Sequence, residues 1–199
     1  MFDLTDPTAT VLLVARALRD RGLDSAVYGG LALAAYGEPR ETKDADLAVV
    51  GVGAGQAADA LREAGLDVIV AFDQVVFGGN VVSRVTLIGG EDAHGLNTAD
   101  FVEPRSIRYA RAALARAMDG SLRGQSIRVL SPEDFVTFKV LSTRARDLED
   151  AACVVHALHS ILDLSAVDAE VRLLASEIPD HDVLGRLARV TTLAANRGA

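Results

Sequence analysis

Two adjacent glycines, Gly29 and Gly30, stand between a short apolar run, Ser25 to Tyr28, and a second one, Leu31 to Tyr36. The first run reads as a strand and the second as a helix, so the glycines mark a turn from one to the other. A turn without side chains lets a phosphate group approach the backbone, and the N–H groups opening the following helix supply donors and a favourable dipole. Glu38-Pro39 breaks that helix. The next run, Thr42 to Val50, alternates and then becomes fully apolar, as a strand entering a core does. It carries Asp44 and Asp46, which at a spacing of two share one face. Carboxylates that close repel each other and raise each other's pKa unless a cation lies between them, so the pair suggests a divalent-metal site. Magnesium fits best, with manganese as the substitute: it takes one or two carboxylates and fills its other positions with water and substrate phosphates. The plain alternative is a strand edge solvated by two acids, a common sight in an acidic chain.

A second constellation runs from Lys139 to Asp150: Lys-Val-Leu-Ser-Thr-Arg-Ala-Arg-Asp-Leu-Glu-Asp. Taken as one continuous helix, it gathers Lys139, Thr143, Arg146, Asp147 and Asp150 into an arc of roughly 100°, with Leu141, Leu148, Ala152 and Val155 opposite. Such a helix would pack its apolar side on a core and present a mixed-charge stripe to a cleft. Two other readings stand beside it. The stripe could be a solvated face laced with ion pairs, or the chain could break near Thr143 to Arg146 with Asp147 capping a new helix and Asp150 in its first turn. The last reading still leaves Lys139 free for phosphate.

With both constellations in view, the stretch from Val27 to Asp150 resembles the nucleotidyltransferases of the polymerase-beta-like superfamily, and within it the AbiEii-type toxins of bacterial toxin–antitoxin pairs. The family's Gly-Gly or Gly-Ser turn before an Asp-x-Asp strand is matched by Gly29, Gly30, Asp44 and Asp46. Its Lys-x4-Lys/Arg-x-Arg-Asp-x-x-Asp pattern is matched by Lys139, Arg144, Arg146, Asp147 and Asp150. One departure is Gly30, where many relatives carry serine, so a hydroxyl contact to a triphosphate must come from elsewhere or be absent. The resemblance implies an α/β (α+β) fold, a mixed β-sheet flanked by helices, with a nucleotidyltransferase core over residues 1–130 and a helical C-terminal part over 131–199, or one domain of both. It implies magnesium on a nucleoside triphosphate held by Asp44 and Asp46, attack of an acceptor hydroxyl on the α-phosphorus, and loss of pyrophosphate. Asp44, Asp46, Lys139, Asp147 and Asp150 become the catalytic set. Gly29, Gly30, Lys43, Lys139, Arg144 and Arg146 become the nucleotide-binding set. The resemblance also implies a two-metal site with a third metal-binding carboxylate on a neighbouring strand, Asp100 between Ala99 and Phe101, with Asp92 in a turn-like context as its competitor. Relatives in this branch add nucleotides to the 3′ end of transfer RNA, which implies tRNA as acceptor, blocked aminoacylation and a cognate antitoxin partner.

The composition neither demands nor forbids an RNA partner. At net charge −8 any such contact must be local, and the place for it is Arg105, Arg108, Arg111 and Arg116, which a helix would spread over about 140° of one side. The alternative is surface arginine pairing with the acidic remainder. Two further classes stay open: transfer to a small molecule such as an aminoglycoside, which an acidic surface would suit, and a noncatalytic nucleotide- or RNA-binding module. Thr42, two residues before Asp44 on the same face, is an expected regulatory position, since phosphorylation there would set negative charge against the triphosphate.

The rest of the chain constrains by what it lacks. Cys153 is the single cysteine, which excludes a disulfide within the chain and a cysteine-based zinc site. No apolar run approaches the length of a membrane span and the first residues carry no positive charge, so a cytoplasmic protein without membrane contact is expected. His156 and His159 are spaced for a metal but have no further ligand nearby. Gly51-Val-Gly-Ala-Gly55 imitates a dinucleotide fingerprint, yet Gln56 stands where its third glycine belongs. The periodicity predicts helices over 7–21, 31–36, 54–64, 107–118, 132 to about 159, 164–177 and 181–195, with strands over 25–28, 44–50, 67–72, 75–77, 81–88, 98–102 and 127–130.

Overall fold

The computed structural model of the chain describes residues 2–89 and 93–197; Asp92 lies outside them. In chain order the elements are β1 (Phe2–Asp3), α1 (Pro7–Asp20), β2 (Ser25–Tyr28), α2 (Gly30–Ala35), β3 (Ala45–Val49), α3 (Ala54–Glu63), β4 (Asp67–Phe77), β5 (Asn80–Ile88), β6 (Ala93–His94), β7 (Leu96–Pro104), α4 (Ile107–Ala115), β8 (Met118–Leu122), β9 (Gln125–Val129), α5 (Pro132–Leu141), α6 (Ala145–Ala157), α7 (Leu164–Glu177) and α8 (Val183–Asn196). Seven strands form one sheet in the order β4-β5-β7-β3-β2-β9-β8, and β1 with β6 form a small parallel pair. The large sheet is mixed: β3 runs parallel to β7 and β2 parallel to β9, while β2/β3, β4/β5, β5/β7 and β8/β9 are antiparallel. This is the helix-flanked mixed sheet that the resemblance implies.

The central strand explains its own position. In β3 every residue but Asp46 is buried, the sign of a strand covered on both sides. Helix α1 packs along β2 and β3, and α3 along β4 and β5. Helix α5 lies against the face that carries Tyr28, whose ring meets Phe135 and Phe138 at centroid distances of 5.9 and 5.4 Å. Tyr36, at the C-cap of α2, meets Phe135 edge-on at 5.3 Å and donates its hydroxyl to the Leu130 carbonyl at 2.7 Å. One cluster of buried residues runs from Leu4 to Ala194, so α5 to α8 share their core with the sheet.

Four expectations need correction. The long helix from Pro132 to about His159 is two helices, broken at Ser142 to Arg144, where Ser142 and Arg144 have extended backbones. In an unbroken helix Lys139 and Asp147 would lie about 12 Å apart along the axis; across the break Lys139 Nζ sits 2.6 Å from Asp147 Oδ1. Arg144 holds the cap position of α6, and Asp147, not Asp150, sits in its first turn. Consequently the mixed-charge stripe faces neither solvent nor an open cleft in full, because Lys139, Asp147 and Asp150 are buried at the corner between the two helices. Strands 67–72 and 75–77 are the single strand β4, interrupted by register shifts rather than a turn, with Gln74 at φ 51°. Helix 107–118 stops at Ala115, and Met118 opens the hairpin of β8 and β9. The short strands β1 and β6 carry too few residues to show any period.

Candidate active site

The register of the sheet sets four side chains in one row. Tyr28 on β2 is the partner of Asp46 on β3, Asp46 of Asp100 on β7, and Asp100 of Arg84 on β5. Register partners point to the same face, so two carboxylates far apart in sequence become neighbours at the centre of the sheet. Gly29 follows Tyr28 with φ 74° and ψ −150°, a conformation side-chain-bearing residues rarely adopt. A Cβ built there would lie 2.0 Å from Asp46 Oδ2, so the turn comes this close to the carboxylate only because it carries no side chain. Gly30 opens α2, and a Cβ there would lie 2.7 Å from Thr42 Cβ and 2.8 Å from its hydroxyl oxygen. Thr42 thus fills the space that a serine at position 30 would need.

Asp46 is half-buried and its carboxylate has no hydrogen-bond or ion-pair partner among the described residues. Removal from water pushes its pKa up to about 7; Asp100 and Asp44 push the same way, while Lys139 and Arg144 oppose them. Asp44 accepts a hydrogen bond from the Thr98 hydroxyl at 2.9 Å. Asp100, 6% exposed, is held in both oxygens by Arg84, Nε at 2.6 Å and Nη2 at 2.7 Å.

Two clefts meet at Asp46 and Arg144. One, of about 350 Å³, is polar: Thr42, Lys43 and Asp44 form one side, and Lys139, Arg146 and Asp147 the other. Lys43, Arg144 and Arg146 are exposed, whereas Lys139 is 1% exposed. The Lys139 ammonium lies 2.6 Å from Asp147 and 3.3 Å from Asp150, and 4.8 Å above the centre of the Tyr28 ring. Burial alone would lower its pKa, but the tyrosine and the two carboxylates outweigh that and hold it charged. Asp147 also accepts from the Ser142 hydroxyl at 2.5 Å and Arg144 Nε at 2.8 Å. Burial would raise its pKa; these cationic and hydroxyl donors bring it down to about 2. Asp150 is shared with Arg40, whose Nε and Nη2 lie 3.0 and 2.9 Å from its oxygens. The other cleft, of about 230 Å³, is more apolar, walled by Phe72, Phe77, Val82 and Val102 beside Arg84 and Asp100. The Arg84 guanidinium lies 5.6 Å from the centre of the Phe72 ring. Asn80, at the same cleft, is buried with its side-chain oxygen unpartnered among the described residues.

The residues expected at the site therefore gather there: Gly29, Gly30, Thr42, Lys43, Asp44, Asp46, Asp100, Lys139, Arg144, Arg146, Asp147 and Asp150. The expected RNA face does not join them. Arg105 pairs with Asp180, Arg108 with Glu170 and Glu177, and Arg116 with Asp134, while Arg111 is exposed without a partner among the described residues. Surface pairing, the alternative reading of that arginine run, describes Arg105 and Arg108, while Arg116 reaches inward to the buried Asp134. Arg40, Arg84 and Phe72 escaped sequence reasoning. Arg84 had a signal, a lone charge in the apolar run Val81 to Val85, whereas nothing local marks Arg40. His159 Nδ1 lies 3.0 Å from the His156 carbonyl, and within the Gly51–Gly55 run the Ala54 N–H that opens α3 donates to the Asp73 carboxylate at 2.7 Å. No group of three or more His, Cys, Asp or Glu able to hold a metal converges among the described residues. A divalent cation at the unpartnered Asp46 and its neighbour Asp44 would thus fit a two-carboxylate set completed by water and substrate oxygens.

A scan of protein-family models gives no match, and no curated protein matches the sequence. Solved structures do match. An antigenic nucleotidyltransferase-like protein from Paracoccidioides brasiliensis superimposes with TM-score 0.51 at 19% identity, over 93% of this chain and 92% of that one. A candidate nucleotidyltransferase from H. pylori gives TM-score 0.51 at 16% identity, over 94% and 92%. The fold is nucleotidyltransferase-like. ANT(2")-Ia in complex with adenylyl-2"-tobramycin matches at TM-score 0.47 and 16% identity over 85% and 97%, too distantly to add to that statement. No helix among the described residues is long and apolar enough to cross a membrane.

Proposed function

We propose that the chain is a metal-dependent nucleotidyltransferase that moves a nucleoside monophosphate from a triphosphate onto an acceptor hydroxyl. The observation that carries this reading is the unpartnered Asp46 carboxylate, crowded against the side-chain-free Gly29 turn and facing a cleft lined by Lys43, Arg144 and Arg146. A polyphosphate needs cations and bare backbone, and both converge here. Asp44 and Asp46 would hold magnesium or manganese, which supplies positive charge against the phosphates when bound. Lys43, Arg144 and Arg146 bind the phosphates from the cleft walls, and Thr42 offers the hydroxyl that Gly30 lacks. Lys139 serves from below: pinned by Asp147 and Asp150, it keeps a fixed positive charge under the phosphates and holds the α5–α6 corner in shape. The acceptor hydroxyl oxygen bonds to the α-phosphorus and gives up its proton to solvent water, the bond from that phosphorus to the bridging oxygen breaks, and pyrophosphate leaves.

The finer reading is an AbiEii-type toxin whose acceptor is the 3′ end of tRNA and whose activity a cognate antitoxin restrains. What supports it is the Lys139–Asp150 motif. The arginine face adds little, because three of its four members are engaged within the protein. Thr42 remains the proposed regulatory position, at the mouth of the phosphate cleft.

The deciding experiment supplies each of four α-labelled nucleoside triphosphates with magnesium to total tRNA, comparing the wild-type chain with Asp46→Ala. Label on RNA that vanishes in the variant is the expected result and names the nucleotide. Triphosphate binding without label on RNA would move the acceptor to small molecules, and neither binding nor transfer would end the reading.

A further inference from the structure

We infer that Arg84 is a built-in cation standing where a second metal ion would otherwise sit, so that one divalent cation, and not two, binds to each chain. The inference rests on the nucleotidyltransferase reading of Asp44 and Asp46 and adds to it the role of Asp100. Register places Asp100 beside Asp46, the position a third metal-binding carboxylate would take. Yet both Asp100 oxygens already receive planar, two-point hydrogen bonds from Arg84, at 2.6 and 2.7 Å, and the carboxylate is 6% exposed. A guanidinium cannot be deprotonated in a protein, so this charge is permanent. Phe72 beneath its plane and the attraction of Asp44 and Asp46 hold it in place, so Asp100 is not free to turn to a metal. Arg84 also lines the cleft adjoining Asp46, which lets it meet charge developing on the bound substrate, and it positions Asp100 rather than surrendering it.

The test counts manganese by electron paramagnetic resonance in the presence of a non-hydrolysable nucleoside triphosphate analogue, for the wild type, Asp100→Asn and Arg84→Met. The protein-bound signal is read above that of the analogue alone. One manganese per wild-type chain, one still bound in Asp100→Asn, and a second gained in Arg84→Met are expected. Two in the wild type, or loss of the bound ion in Asp100→Asn, would overturn the inference while leaving the nucleotidyltransferase reading intact. A single ion in folded Arg84→Met would overturn it as well, since Arg84 would then not be what excludes the second. Should that variant not fold, the other two counts decide. No bound manganese in any form would remove the underlying reading and this inference together.

Discussion

At the residue scale the site is governed by one carboxylate held in an unfavourable place. Asp46 has a raised pKa in the fold, about 7 against an ordinary value of 3.8 when unfolded. The folded state therefore binds its proton more tightly than the unfolded state does. In metal-free protein that contribution is fully present below the ordinary carboxylate pKa and is lost as pH rises toward 7. Asp46→Asn should then melt higher than the wild type at pH 8 without divalent cations, and the gap should shrink at pH 5; equal melting temperatures at pH 8 would show that the charge carries no strain. Gly29→Ala is the steric counterpart. Its Cβ would collide with Asp46 Oδ2 at 2.0 Å in a left-handed backbone, so a loss of roughly 1–3 kcal/mol in chemical denaturation is expected, together with loss of triphosphate binding. Retained binding would mean that the turn can move away. For Thr42, a negative charge is the test: Thr42→Glu should weaken triphosphate affinity about tenfold or more, whereas Thr42→Ser should leave it near wild type. Full activity of a Thr42-phosphorylated sample would refute a regulatory role.

The corner between α5 and α6 is the element that makes the second motif work. Buried charge explains why the helix breaks there: Lys139 cannot stay inside the protein without a carboxylate, and only an interrupted helix brings Asp147 to it. Truncating Asp147 to alanine leaves the buried ammonium only the more distant Asp150, which Arg40 already shares, and should cost about 3–5 kcal/mol in a denaturant titration. A cost below about 1 kcal/mol would mean that Asp150 and the Tyr28 ring suffice. Because the Asp147 pKa is depressed to about 2, its contribution is present above the ordinary carboxylate value and is lost as pH falls toward 2. This element also marks the limit of periodicity. The helical pattern after Ser142 was legible, since Leu148, Ala152 and Val155 recur at helical spacing, whereas α5 is buried on every side and shows no such stripe, and the break has no glycine or proline to announce it. Strand β4 failed in the opposite sense: Asp73-Gln74 looks like a turn, yet the Ser83 hydroxyl accepts the Gln74 N–H at 3.0 Å and keeps the strand attached through a bulge.

Over the whole molecule, a net charge of −8 coexists with an arginine-rich segment because that segment is tied internally to acids on α7, on α5 and in the loop before α8. The exposed ones, Arg105 with Asp180 and Arg108 with Glu170 and Glu177, contribute at most about 1 kcal/mol each, whereas Arg116 pairs with the buried Asp134. Arg108→Ala should accordingly change stability little and RNA affinity little, while Arg111→Ala, if RNA lies along this face, should reduce the slope of log affinity against log salt by about one. An unchanged slope for Arg111→Ala would place any RNA elsewhere.

The sequence by itself determined the local grammar: a glycine turn between strand and helix, an alternating strand with two acids on one face, and a helical C-terminal third. Short-range sterics and hydrophobic period settle such features, and these act between residues a few positions apart. Only the tertiary structure decided that Asp100 falls beside Asp46, that Arg84 takes hold of it, that Arg40 reaches Asp150, and that three of the four surface arginines are spent on ion pairs. Strand register and helix packing join residues tens of positions apart. A charge's partner is chosen by where burial leaves it, which no local pattern records.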